Sequence, residues 1–122
     1  MKKSPGAGHD AAEPIKPAVF YILLALAEEP THGYAVMQTV QAQSGGTVPL
    51  RTGSFYRHLS KLIDEGLVEE AAGRPPDDDP RRGAYYRATP RGLRVLARER
   101  ARLATLIAAV DALRPAPRRG QA

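Results

Sequence analysis

The chain has 122 residues, enough for one modest hydrophobic core, and a net charge of +5. It has no cysteine, which excludes a disulfide framework and a thiolate metal site, and its three scattered histidines (His9, His32, His58) form no ligand cluster, so neither a metal nor a cofactor is expected. The longest apolar run, Ala18 to Ala27, falls short of the ~20 residues of a bilayer helix, and no apolar stretch follows Lys2-Lys3. A cytoplasmic protein without a membrane partner is therefore expected. No nucleophile–base pair and no phosphate loop is visible, so an enzyme is not expected.

The positive charge is unevenly placed. Residues 15–89 carry eight Lys/Arg against nine Asp/Glu, whereas residues 90–122 carry eight against two. Bulk charge therefore argues only weakly for a nucleic-acid partner, and local pattern has to decide.

Residues 1–14 are small, polar and broken by Pro and Gly, and read as a disordered tail in which His9 is a bystander. Pro17 sits where a proline starts a helix, and AVFYILLALAEE after it is apolar on nearly all sides. Such a helix needs cover on more than one face, from a partner subunit, from the chain's own last helix, or from both. Pro30 stops it and Thr31 is placed to cap the next helix. There Gly33, Val36, Met37 and Val40 form the inward face and Gly45-Gly46 the end. His32 and Tyr34 fall in its first turn, where free backbone N–H groups can seat a phosphate; the alternative is that Tyr34 packs at the core edge.

After the short link Thr47 to Leu50 comes LRTGSFYRHLSKLIDEGLVEE. Phe55, Leu59, Leu62 and Ile63 share one helical face, while Ser54, Arg57, His58 and Lys61 share the other. The polar front suits base edges and phosphates in a major groove, although an ordinary solvated face has the same pattern. Thr52 is chemically the better N-cap than Arg51, and Gly66 is placed as the C-terminal stop. LVEEAA and GAYYRAT then make a β-hairpin whose tip, GRPPDDDPRR, is the wing. Arg74, Arg81 and Arg82 in that tip can reach the minor groove or flanking phosphates, but Asp77, Asp78 and Asp79 oppose them. Three consecutive Asp in a loop do not converge on a metal.

Thr89-Pro90 starts a last helix running to about Leu113, roughly 35 Å at ~1.5 Å per residue. Leu96, Leu103, Leu106, Val110 and Leu113 follow a three-and-four rhythm that Ile107 broadens and Glu99 interrupts. A stripe extending past its own domain is best buried against a second copy, and the rival is a helix folded back on the domain. Arg91, Arg94, Arg98, Arg100 and Arg102 are expected to be solvated.

The expected organisation is a disordered tail (1–14), a winged helix-turn-helix domain (15–89), a dimerisation helix (90–113) and a disordered basic tail (114–122). The expected fold class is mainly α with a small β-hairpin.

Three segments resemble the PadR family of transcriptional regulators, in its short form with a single C-terminal helix. They are AEEPTHGYAVMQTV, LRTGSFYRHLSKLIDEGLVEE and AYYRATPRGLRVL, which stand in the family's order and spacing within a resemblance that covers about residues 17–113. The chain departs from the family's usual pattern at Arg51 (usually Ser), Thr52 (usually Pro) and Ser54 (usually Thr), and in a longer, more acidic wing tip. It has no Trp, so it cannot sandwich flat drugs between tryptophans as some members do. The resemblance implies a homodimeric repressor on a pseudo-palindromic, double-stranded operator, with Thr52, Gly53 and Ser54 approaching bases or backbone. It further implies base or phosphate contacts from Arg57, His58 and Lys61, and phosphate contacts from Tyr34 and Tyr56. An effector, a small molecule or stress signal, would relieve repression. The over-apolar first helix suggests a ligand space by Phe20, Tyr21 and Leu24. A winged helix serving only as a protein-interaction module is the alternative, favoured by the near-neutral body and acidic wing tip.

Overall fold

In the computed structural model, which describes residues 14–72 and 83–114, helix α1 (Pro17–Glu28) begins at the proline, with Lys16 extended before it. Its Val19, Ile22, Leu23 and Leu26 are buried, and Phe20, Tyr21 and Ala25 pack half-buried against the same core. The helix packs chiefly against α2 (Gly33–Gln43), β3 (Tyr85–Ala88) and α4 (Pro90–Asp111). The chain's own last helix thus supplies one of the covers that so apolar a segment requires.

After Pro30 the chain stays extended and forms a two-residue strand, β1 (Thr31–His32), which sequence patterning does not show. Thr31 does not cap α2. Its hydroxyl donates to the Glu29 carbonyl at 2.9 Å, and the cap is His32, whose Nδ1 accepts the Ala35 N–H at 3.3 Å. Helix α2 buries Gly33, Val36 and Val40, with Met37 half-buried. It ends at Ser44, followed by Gly45 and Gly46 at φ of 63° and 80°, where a side chain would be strained. Ser44 is itself buried and ties the link back, accepting the Val48 N–H on its hydroxyl and the Thr47 hydroxyl on its carbonyl.

Helix α3 (Thr52–Asp64) buries Phe55, Leu59 and Leu62, as their spacing requires. Ile63, assigned to that face by spacing, lies at its edge and is 39% exposed. Gly66, at φ 77°, ends the helix. The Leu67 N–H reaches the Leu62 carbonyl at 2.9 Å and the Gly66 N–H the Ile63 carbonyl at 3.0 Å, a pair of hydrogen bonds around the glycine that turns the chain directly into β2 (Val68–Ala71).

Strand β2 pairs antiparallel with β3, Val68 opposite Ala88 and Ala71 opposite Tyr85, and β1 pairs with the other edge of β3, Thr31 opposite Tyr86. The sheet order is β1-β3-β2, so the hairpin becomes a three-stranded sheet. Arg87 and Glu69, directly opposed, form a 2.8 Å ion pair.

Thr89 joins sheet, α3 terminus and α4. Its N–H donates to the Leu67 carbonyl (3.0 Å), its hydroxyl donates to the Gly66 carbonyl (2.6 Å), and the same oxygen accepts the Gly92 N–H (3.0 Å). Helix α4 has 22 residues, ~33 Å, and buries Gly92, Val95 and Glu99. Glu99 is therefore no mere interruption of a stripe: it is 5% exposed and paired with Arg102, at 3.0 Å to the guanidinium Nε. Arg102 is accordingly not simply solvated. Beyond Leu103 the rest of the helix is exposed, including Leu106 (49%), Ile107 (61%) and Val110 (65%), as is Leu113 (71%) just past its end.

Candidate nucleic-acid interface

The packed side of α3 leaves Thr52, Gly53, Tyr56, Arg57 and Lys61 exposed together, with Ser54 and His58 half-buried at their margins. What starts this helix is Arg51, extended at φ −87°, ψ 159°, and not Thr52, which occupies the first helical position. Ser54 serves the cap: its hydroxyl accepts the Arg51 N–H at 3.2 Å and donates to the Arg51 carbonyl at 3.1 Å. Its proton is thereby engaged within the protein, whereas Thr52 is an exposed residue. Gly53 brings no side chain to this end of the helix, and the nearest atom to a Cβ built there is an Arg57 guanidinium nitrogen at 3.7 Å.

Two tyrosines flank the front. Tyr34, in the first turn of α2, is 64% exposed and is not a core-edge residue. Tyr56 is 44% exposed, and its ring meets Phe55 edge-on at 4.8 Å. Its hydroxyl end lies over Gly33, so α2 and α3 approach there because position 33 lacks a side chain. On the sheet side, burial, then Tyr56, then Glu70 raise the Tyr86 phenol above its ordinary value, which puts the α3 tyrosine beside the central strand. His32 works mainly inside the fold, with one ring nitrogen spent on the α2 cap and its ring in a T-shaped contact with Tyr85, centroids 5.4 Å apart.

His58 gathers positive charge around it. Burial is the largest cause holding its pKa below 6.5, followed by Lys16, Arg57 and Lys61. Lys16 precedes α1 and lies 42 positions away in sequence, so no periodicity within α3 could have pointed to it. It adds a third permanent cation to the neighbourhood of Arg57 and Lys61. Arg74, Arg81 and Arg82 of the wing tip lie outside the described residues, as do Asp77, Asp78 and Asp79. Among the described residues no three His, Cys, Asp or Glu side chains gather in a metal-binding group, and no helix is long and apolar enough to cross a membrane.

A family model described as the transcriptional regulator PadR-like family matches residues 22–98, the stretch from α1 through the buried half of α4. The chain belongs to the PadR-like family of transcriptional regulators. Solved structures agree with the fold of this PadR-like chain. A PadR-family transcriptional regulator from Eggerthella lenta superposes with a TM-score of 0.58 at 29% identity, over 76% of this chain and 77% of that one. A transcriptional regulator from Clostridium thermocellum gives 0.62 at 18% identity, over 77% and 86%. A protein from Streptococcus mutans gives 0.63 at 20% identity, over 81% and 89%. No curated protein gives a significant match. A winged-helix, DNA-binding transcriptional regulator is what this membership makes of the PadR-like chain; its family is one of regulators and not of enzymes.

Proposed function

We propose that this PadR-like regulator is a cytoplasmic repressor that binds a pseudo-palindromic operator as a homodimer. The observation that carries the reading is the exposed front of α3, where Arg57 and Lys61 stand beside Thr52, Gly53 and Tyr56, with Lys16 close behind. Guanidinium and ammonium groups on a helix backed by a rigid core suit base edges and phosphates of a major groove. Two such helices read half-sites about one helical turn apart. Tyr34 supplies a phosphate contact at the edge, and His32 acts by holding the start of α2.

The dimer contact is the outer half of α4. Leu103, Leu106, Ile107, Val110 and Leu113 continue the stripe begun by the half-buried Leu96, and they are too large an apolar surface to leave in water. A small-molecule effector would sit near the dyad between α4 and the half-buried Phe20, Tyr21 and Leu24 of α1. It would relieve repression by favouring another spacing of the two reading helices.

The test is fluorescence anisotropy of the purified protein on DNA from upstream of its own gene and on a scrambled duplex, at physiological salt. A preference of about a thousandfold supports the reading. Arg57→Ala should then cost about 1–3 kcal/mol if Arg57 contacts a base. Equal, weak binding to both duplexes, followed by no enriched sequence in genome-wide capture, would favour a protein-interaction module.

A further inference from the structure

An open groove of about 650 Å³ runs between α2 and the start of α3 and shares only Tyr34 and Thr52 with the residues already assigned to the reading-helix front. Its apolar lining is Met37 and Leu50, both half-buried against the core, with the exposed Ala42 beside them. Tyr34, Gln38, Gln41 and Arg51 line it as exposed residues. No carboxylate is among its lining residues.

We infer that this groove seats the sugar–phosphate backbone of the bound DNA strand, with the Arg51 guanidinium on a phosphate and the Gln38 and Gln41 amides as neutral donors beside it. The inference rests on the proposed DNA-binding function and adds three residues to it. Charge complementarity is the first argument. One guanidinium, two amides and a phenol offer many donors with no fixed negative charge against them, the composition that suits a phosphodiester. Continuity is the second. Thr52 and Tyr34, which belong to the exposed front, also line the groove, so a strand laid against that front runs on into it. The shape is the third: an open trough with an apolar floor accommodates deoxyribose between phosphates.

Arg51 reaches this place because of how α3 begins. The residue before the first helical position is extended and capped through the Ser54 hydroxyl, so the Arg51 side chain is not needed for the cap. A phosphate contact positions the duplex without reading sequence. The three added residues therefore act on affinity, and Arg57 and Lys61 act on choice.

The experiment measures anisotropy across a salt series for the full chain and for R51A, Q38A and Q41A, on the operator and on a scrambled duplex, with circular dichroism confirming the fold. R51A should lower the slope of log affinity against log salt by about 1 per subunit and weaken both duplexes by the same factor. Q38A and Q41A should weaken both duplexes equally and leave the slope unchanged, since neither carries charge. An R51A slope equal to that of the parent protein overturns the inference, as does a loss confined to the operator, which would make Arg51 a base reader. Displacement of a small molecule from the groove with DNA affinity untouched by all three variants would assign it to a ligand instead. A parent protein that binds no duplex overturns the DNA-binding reading itself, a result distinct from a parent that binds with an unaltered R51A slope.

Discussion

The hydroxyl of Tyr56 lies over Gly33 so closely that a Cβ built on the glycine would stand 2.5 Å from the phenolic oxygen and 3.2 Å from the ring of Phe55. This contact seats the reading helix against the start of α2. Gly33→Ala should push Tyr56 outward and cost about 1 kcal/mol, at the lower end of overpacking because Tyr56 is 44% exposed and its side chain can give. In a double-mutant cycle with Tyr56→Phe, which removes the oxygen, a coupling of about 1 kcal/mol is expected in urea melts. Strict additivity would show that the two positions do not constrain each other.

Gly92 is a harder constraint. A Cβ there would collide with the Leu67 carbonyl, a backbone atom already held by the Thr89 N–H. The start of α4 cannot retreat without losing the Thr89 bonds to Gly66 and Leu67. Gly92→Ala should therefore destabilise the fold by about 3 kcal/mol, although the same change at an unhindered helical position stabilises by up to about 1 kcal/mol. Chemical denaturation checks this, and a loss below about 0.5 kcal/mol would contradict the packing described.

Glu99 should make stability fall in acid. The Arg102 hydrogen bond is the main cause holding its carboxyl below the ordinary 4.5; the Arg102 charge and the Ile15 backbone N–H add to this, and burial opposes it. A depressed carboxylate contributes stability that is fully present above the unfolded value of about 4.5 and is lost as pH falls through the lower folded value. Thermal melts of Glu99→Gln should accordingly show a lower melting temperature at neutral pH and a gap from the parent that narrows as pH falls below 4.5. A constant gap would mean that the carboxylate's charge contributes nothing.

His58 should link DNA affinity to protons. Its folded pKa is depressed, so the free protein holds it neutral at pH 7, and fold stability present above 6.5 declines as pH falls through the lower folded value. DNA phosphates near Lys16, Arg57 and Lys61 would offset the repulsion and favour the protonated ring. Affinity should rise as pH falls from 7.5 to 6, with proton uptake visible as a buffer-dependent binding enthalpy. His58→Gln should flatten that dependence; an unchanged pH profile in the variant would place the effect elsewhere.

The outer half of α4 should govern oligomeric state. Ile107→Asp with Val110→Asp puts two carboxylates where 61% and 65% exposed side chains now stand, so the fold itself should survive. Sedimentation should shift from dimer to monomer, and operator affinity should drop by about a hundredfold as the second half-site contact is lost. The same sedimentation coefficient for both proteins would remove this helix as the interface.

Much of α3 was legible because its signals are local. Phe55, Leu59 and Leu62 lie within two turns of one another, and Gly66 stops the helix by a conformation only glycine adopts easily. The caps were less legible. A hydroxyl at Thr31 and at Thr52 marks a cap by chemistry, but His32 and Ser54 perform the two jobs, because strand pairing at β1 and the extended Arg51 shift each helix start by one residue. Ile63 fell to the margin because a periodic face has no sharp edge.

The amino-acid sequence alone determined the helices, the hairpin and the family, since each depends on residues within a few turns of chain or on motifs in fixed order. Only the tertiary structure decided that Thr31 and His32 join the sheet, that Lys16 stands by His58, that Glu99 is buried against Arg102 and Ile15, and that Gly92 rests on the Leu67 carbonyl. The physical reason is separation along the chain. A hydrogen bond or packing contact between distant segments leaves no periodic trace in either one, and it exists only once the core has brought them together.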